Sequence, residues 1–310
     1  RKLADILAVQ DESVRETTEK LRLRLSGEDR KRLAKRHTDS TEAYALYTRG
    51  RYFWNKRTPA DFQKAIGYFE EAIRKDPGYA LAYAGLADCY VQLGLHFGSP
   101  PAEALPKARA AAAKALQLDD QLAEAYTALT HLKCESDWDW RGAERDYRRA
   151  LQINPGYAMA HYWFGSCLSA MGRLEEGLAE HKQALDLDPT SHWINAGLVY
   201  TYYYAGRYDE AIAQARKALE IDPDFPTAHH ALGLAYLQKS MFREAIPELE
   251  KALLGGSHRS RLPALGYAYA VAGQTDAARR VLAELERRYR ARGVGAGVIS
   301  AGRLVEGHSN

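Results

Sequence analysis

Apolar side chains along this chain fall at helical spacing, and the helices they mark recur with a fixed period. Between residues 192 and 225, Leu198, Tyr202, Ala211, Ile212, Ala218 and Leu219 mark the inner faces of two helices. Gly206 stands at the turn between them. Pro223 disfavours helical backbone at Asp222, so the second helix is expected to end there. The unit then repeats. A small residue stands at Ala65, Ala108, Ala143, Gly177, Ala211, Ala245 and Ala278, in steps of 43, 35, 34, 34, 34 and 33. Seven positions later come Ala72, Ala115, Ala150, Ala184, Ala218, Ala252 and Leu285; twelve positions later come Pro77, Asp120, Pro155, Pro189, Pro223 and Ser257. Two helices approach closely only where a side chain is no larger than alanine, which is the packing reason for the small residues. A period of this length predicts an all-α stack of about seven helix pairs, with an extended surface in place of one enclosed pocket.

The ends of the chain break the period. Leu3, Ile6, Leu7, Val14, Leu21 and Leu25 predict an amphipathic helix over residues 3–25, with Gly27 as its stop. Arg30, Lys31, Arg32, Lys35 and Arg36 follow in a basic segment that reads as a solvated linker, since acidic residues flank it and no aromatic residues interleave. Residues 1–38 are therefore expected to be an N-terminal helix and linker closing an upstream domain. Asp39 and Glu42 suggest a capping box opening the array, which runs over residues 39–290. Its last helix, from Ala277 to about Tyr289, should turn Ala278, Val281, Leu282 and Leu285 inward and Arg279, Arg280, Arg287 and Arg288 outward, as a terminal repeat requires. Residues 291–310 are expected to form a glycine-rich irregular tail. The chain opens at Arg1, not Met, and is expected to be a piece of a longer protein.

The pattern resembles the tetratricopeptide repeat, whose consensus places aromatic, Leu, Gly, Tyr, Ala, aromatic, Ala and Pro at fixed offsets. The fourth unit holds His161, Phe164, Gly165, Leu168, Gly177, His181, Ala184 and Pro189 there; the sixth holds His229, Leu232, Gly233, Tyr236, Ala245, Leu249, Ala252 and Ser257. Extra residues near Thr58 to Asp61 and around Gly94 to Pro101 are expected between helices, where insertions cost little. The resemblance implies a right-handed α-solenoid that binds a protein or peptide in its concave groove. The stretches Leu3 to Glu12, Gly50 to Lys56 and Asp137 to Trp140 are similar to arrays in larger bacterial signalling proteins, which follow a winged-helix, adenylate-cyclase-type or serine/threonine kinase domain.

The offsets that line the groove in this family fall on Asp88 and Gln92, His131 and Glu135, Tyr162, Ser166 and Ser169, then Trp193, Tyr200, Tyr203 and Tyr204, then His230, Gln238 and Tyr267. The candidate partner-binding residues are Tyr162, Trp193, Tyr200, Tyr203, Tyr204, His230, Tyr267 and His131. Tyrosines spaced by three and four share one helix face. The family's carboxylate clamp is not matched, because its positions hold Tyr47, Arg51, Ala84, Asp88 and Thr127.

Composition narrows the function further. A net charge of +3 over 310 residues argues against nucleic acid as the partner of this region. No apolar stretch reaches the roughly 18 residues needed to span a bilayer, and a cytoplasmic location is expected. Cys89, Cys134 and Cys167 are odd in number and far apart, and are expected to be buried reduced thiols. No C-x-x-C or H-x-x-x-H pair suggests a metal, and no cofactor is expected. The run Gly293 to Gly302 fails as a phosphate loop, because Ser300 stands where a third glycine belongs. Walker, kinase and nucleophile-elbow motifs are missing, so the expected function is a non-catalytic scaffold, with regulation of a linked enzyme or DNA-binding protein as the alternative.

Overall fold

A computed structural model describes residues 37–97, 99–254 and 261–292. Among them are fourteen helices and no strand. In chain order they are α1 (Thr41–Asn55), which packs on α2 (Pro59–Lys75), then α3 (Ala80–Leu95), α4 (Pro101–Leu118), α5 (Ala123–Glu135) and α6 (Trp140–Ile153), then α7 (Ala158–Ala170), which packs on α8 (Leu174–Leu187). Then come α9 (His192–Tyr204) with α10 (Tyr208–Ile221), α11 (Pro226–Gln238) with α12 (Phe242–Leu254), and α13 (Arg261–Val271) with α14 (Thr275–Arg292). The described residues thus hold the fourteen helices that seven helix-pair repeats require. The N-terminal helix over 3–25 and the tail beyond 292 lie outside the described residues. The chain divides into two compact units, Arg1–Gly94 with Ser99–Leu132, and Leu95–Gly98 with Lys133–Asn310.

Helix ends follow the sequence signals. Helices α2, α6, α8 and α10 stop at Lys75, Ile153, Leu187 and Ile221, each two residues before Pro77, Pro155, Pro189 or Pro223. The start of α1 differs from the expected capping box. Ser40, not Asp39, is the N-cap, and its Oγ accepts from the Ala43 N–H at 3.1 Å. Counting the hydroxyl three residues before a free amide selects Ser40, and Glu42 pairs instead with Lys75 on α2. The extra residues of the first unit do not form a loop either. Thr58 caps α2, and Pro59 to Asp61 form its first turn. The insertion of the second unit does lie between helices, from the end of α3 at Leu95 to Pro101 at the start of α4.

In the first unit, Phe69 is fully buried between two glycines. A Cβ on Gly50 or Gly85 would stand 2.5 or 2.7 Å from its ring, so the phenyl group fills the space that two other helices leave open. In the second unit, α7 and α8 touch backbone to backbone. A Cβ on Gly165 would meet the Gly177 carbonyl at 2.9 Å, and one on Gly177 would meet the Gly165 carbonyl at 2.8 Å. The periodic small residues are buried throughout: Ala65, Ala108, Ala143, Ala211, Ala245 and Ala278. On α14, Ala278 and Val281 are buried while Arg279, Arg280, Arg287 and Arg288 are exposed, as expected of a terminal repeat.

The cysteines correct the sequence reading. Cys134 at the end of α5 and Cys167 on α7 form a disulfide within the second unit, and Cys89 alone is free and buried. Their separation of 33 residues is close to one repeat period, so stacking brings equivalent parts of neighbouring helices together. Distance along the chain is therefore no guide to which thiols meet.

Candidate functional site

The first helices of successive repeats lie side by side in the second unit: α9 contacts α7 and α11, and α11 contacts α13. Register along these helices decides which side chains share the resulting face. It gathers six of the eight candidate residues into two aromatic groups.

The first group is a packed one. Tyr162 on α7 is buried, with its ring edge-on to Trp163 and His181 and 6.3 Å from half-buried Trp193 on α9. A Cβ on Gly197 would lie 2.1 Å from the Tyr162 ring, so this tyrosine occupies the groove a missing side chain leaves on α9. Its role is packing. Trp163 and Phe225 extend the cluster, the latter 6.0 Å from Trp193. The second group is polar at its base and open at its edge. Tyr200 on α9 is half-buried, and its hydroxyl stands 2.7 Å from Nδ1 of buried His230 on α11. Tyr204, one turn along, stacks beside it at 6.4 Å and is 63% exposed. Tyr203 turns its hydroxyl toward the Nε2 of Gln238 on α11, which donates to it at 3.1 Å. Tyr267 is half exposed on α13, and His131 is buried on α5 in the first unit.

Sequence reasoning missed Arg261. It is buried at the start of α13, where Nη1 donates to the Ala252 carbonyl and Nη2 to the Thr227 hydroxyl of α11, both at 3.1 Å. Burial pulls its guanidinium below the ordinary arginine value, and Tyr200 opposes that shift. Burial likewise raises the Tyr200 phenol above the usual value, with Arg261 pulling the other way. A buried cation thus interacts with Tyr200 and donates to a backbone carbonyl and a hydroxyl. A buried arginine reads as an ordinary surface charge in sequence, so no spacing signal marks it.

A polar brace recurs behind this face. His161 on α7 joins Glu180 on α8 at 2.6 Å and the Pro155 carbonyl at 3.0 Å. Two repeats on, His229 joins Glu248 and the Pro223 carbonyl in the same way. The intervening repeat makes the same brace from amides: Asn195 donates to the Pro189 carbonyl and accepts from Gln214 at 2.6 Å. Each brace ties a first helix to its second helix and to the preceding turn. Burial depresses the His161 imidazole, but Glu180 and the Pro155 carbonyl raise it more, leaving it above the usual histidine value. His181, enclosed beneath Tyr162, is pushed by burial down to about 4 despite its contact with the Gly177 carbonyl.

The two histidines give stability a pH optimum. A raised folded-state value contributes stability that is full below the unfolded value of about 6.5 and is lost as pH rises through the folded value. His161 therefore weakens the fold on the alkaline side. His181 is depressed, so its contribution is lost as pH falls from about 6.5 toward 4. The melting temperature should peak near pH 6.5. His161→Asn with Glu180→Gln, which copies the Asn195–Gln214 brace, should flatten the alkaline limb, and melting curves from pH 6 to 9 check this. An unchanged alkaline slope in the double variant would remove His161 as its cause.

Helix pairs with buried small residues at a fixed period, and first helices side by side in the second unit, define a helical-repeat protein. Residues 199–240 match a family described as TPR repeat, and residues 60–96 and 139–192 match families described as Tetratricopeptide repeat. The chain carries tetratricopeptide repeats over these stretches. It is 27% identical over 152 residues to the transcriptional regulator HilA of Salmonella typhimurium (strain LT2), covering 49% of this chain and 27% of the regulator. The chain thus spans about a quarter of the length of the curated relatives it matches. The crystal structure of the APC/C hetero-tetramer Cut9–Hcn1 is similar with a TM-score of 0.67 at 17% identity, over 87% of this chain and 49% of that one. Pseudomonas aeruginosa PilF is similar with a TM-score of 0.51 at 21% identity, over 70% of this chain and 96% of that one. Both likenesses concern the fold. No helix among the described residues is long and apolar enough to cross a membrane.

Proposed function

We propose that the chain is a non-catalytic interaction scaffold that binds a peptide or partner segment on the face of α9, α11 and α13. The observation that carries this reading is the Tyr200–Tyr204–His230 group. Tyr204 is exposed, yet its ring is held parallel to Tyr200, whose hydroxyl is anchored by His230. An aromatic surface that is already ordered gives up little entropy on binding. Aromatic anchors of this kind carry most of the energy at many interfaces. Trp193, Tyr203 and Tyr267 extend the surface, whereas Tyr162 supports it from within.

Tyr204→Ala is the clean test, because the exposed ring can be removed without opening the core. A peptide selected from a displayed library against the whole chain should lose about 2 kcal/mol on this change, roughly thirtyfold in Kd. Lys217→Ala, exposed on α10, should leave the affinity unchanged. The reverse pattern would move the interface to the second helices.

The similarity to HilA favours a second, broader reading. The array would then be the sensory or assembly arm of a larger bacterial regulator whose DNA-binding or enzymatic part lies elsewhere in the protein. Reading the complete gene upstream of the codon for Arg1 tests it.

A further inference from the structure

Arg49, Tyr52, Phe53 and Lys56 follow one another along α1 at spacings of three and four, so they share one face of the helix. Tyr47 and Arg51, the groove offsets of this repeat, stand on its other side. The glycines Gly50, Gly85, Gly165, Gly233 and Gly266 mark one position of the first helices, and two residues on come Tyr52, Ala87, Cys167, Ala235 and Ala268. The last four are all buried, whereas Tyr52 is 59% exposed. A terminal repeat needs a polar outer face, and exposed Arg49, Lys56 and Lys64 meet that need. An open tyrosine does not, so this face has more than an end to seal.

Charge narrows what it fits. Between residues 49 and 68, five cations (Arg49, Arg51, Lys56, Arg57 and Lys64) stand against one carboxylate, Asp61, so this stretch alone outweighs the net charge of +3 on the whole chain. Arg51 and Arg57 are committed to the Trp54 ring, at 4.1 and 3.4 Å from its centre. The other three point their charge outward. The Lys56 ammonium lies 4.8 Å from the centre of the Tyr52 ring and 5.6 Å from that of Phe53, and the Lys64 ammonium lies 5.2 Å from that of Phe53. Rings thus hold two flexible lysines in place, which lowers the entropy lost when an anion is bound. Lys64 also pairs with Asp61 at 3.3 Å, a surface contact that leaves donors over. Arg49 and Lys56 have no ion pair among the described residues. Nucleic acid fits this surface less well, because a strand stacks its bases on open rings and Phe53 is already stacked on Tyr68, at 5.4 Å and 7°.

We infer that the Arg49–Tyr52–Lys56 stripe of α1, with Lys64 of α2 beside it, docks an acidic segment of a partner protein. Carboxylates of that segment meet Arg49, Lys56 and Lys64, and an apolar side chain between them lies on Tyr52. The stripe belongs to the first unit and the tyrosine face to the second, so either can fail alone.

The test follows the fluorescence anisotropy of a labelled peptide, Asp-Glu-Leu-Glu-Asp-amide, as the whole chain is added. Its uncharged analogue Asn-Gln-Leu-Gln-Asn-amide and a labelled oligothymidylate are titrated in parallel. The acidic peptide should bind and its analogue should not. Arg49→Gln with Lys56→Gln should weaken binding about tenfold, the sum of two exposed ion pairs, while Lys217→Gln on α10 leaves it unchanged. Tyr52→Ala should weaken binding severalfold with the melting curve unaltered, because the ring is exposed. Added salt should weaken binding further, since exposed pairs are screened. Equal binding of the two peptides, or equal losses from the α1 double variant and Lys217→Gln, overturns the inference. Tighter binding of the oligothymidylate than of the acidic peptide also overturns it, and makes the stripe a nucleic-acid surface instead.

Discussion

Gly177→Leu is expected to destabilise the second unit by about 3 kcal/mol or more, at the upper end of what overpacking costs. The reason is backbone contact. Even a Cβ at Gly177 would stand 2.3 Å from the Ser169 Oγ and 2.8 Å from the Gly165 carbonyl. The Ser169 hydroxyl is itself committed to the Gly165 carbonyl at 2.8 Å, so the side chain cannot swing away without losing that bond. The contact is as tight from the other side, since a Cβ at Gly165 would stand 2.5 Å from His181 and 2.9 Å from the Gly177 carbonyl. Rotamer changes relieve a clash with a flexible side chain, but only helix displacement relieves one with backbone. Displacing α8 would also pull Glu180 from His161 and His181 from beneath Tyr162. Repeats contact mainly their neighbours, so denaturation of this variant should split into separate transitions as well as begin earlier. Urea titration of Gly177→Leu beside Glu210→Gln, a change confined to the exposed start of α10, checks the expectation. Equal midpoints would mean that α7 and α8 do not meet at these glycines.

Opening the Cys134–Cys167 disulfide is expected to have an effect of similar size. The bond closes a loop of 33 residues that contains all of α6. Chain-entropy reasoning gives about 3–4 kcal/mol for a loop of that length, before any strain in the folded state is subtracted. Both cysteines are buried, so serine in their place would add the cost of enclosing a hydroxyl. Cys134→Ala with Cys167→Ala therefore isolates the cross-link better. The double variant should melt several degrees lower than the oxidised parent and coincide with the parent in reductant. Cys89 supplies an internal reference, since it is free and burial raises its thiol well above the ordinary value. Unfolded oxidised protein should react with one thiol equivalent, and reduced protein with three. Three equivalents without reductant would show the pair to be open.

The sequence by itself determined the repeat, the pairing of helices and most of their boundaries. These depend on local rules: a small residue wherever two helices must cross, a proline two positions past a helix end, and a turn residue between. Each rule leaves a mark at a fixed offset, and seven copies make the register plain. Register alone also placed Tyr200, Tyr203, Tyr204 and His230 on adjoining first helices. Tertiary structure decided what those residues do there. Tyr162 and Tyr204 both fall at offsets expected to line the groove, yet one fills the space above Gly197 and the other faces solvent. The difference lies in the side chain absent from the next repeat, which no pattern within a single helix reveals. The meeting of Cys134 with Cys167 and the burial of Arg261 beneath the tyrosine face depend on how one repeat stacks upon the next. Ser40, the N-cap of α1, and Trp138, with φ of 57°, are smaller cases of the same limit. Which hydroxyl reaches an amide, and which residue must carry a positive φ, are fixed by the path of the backbone through the turn, and a one-residue shift there leaves the helical period untouched.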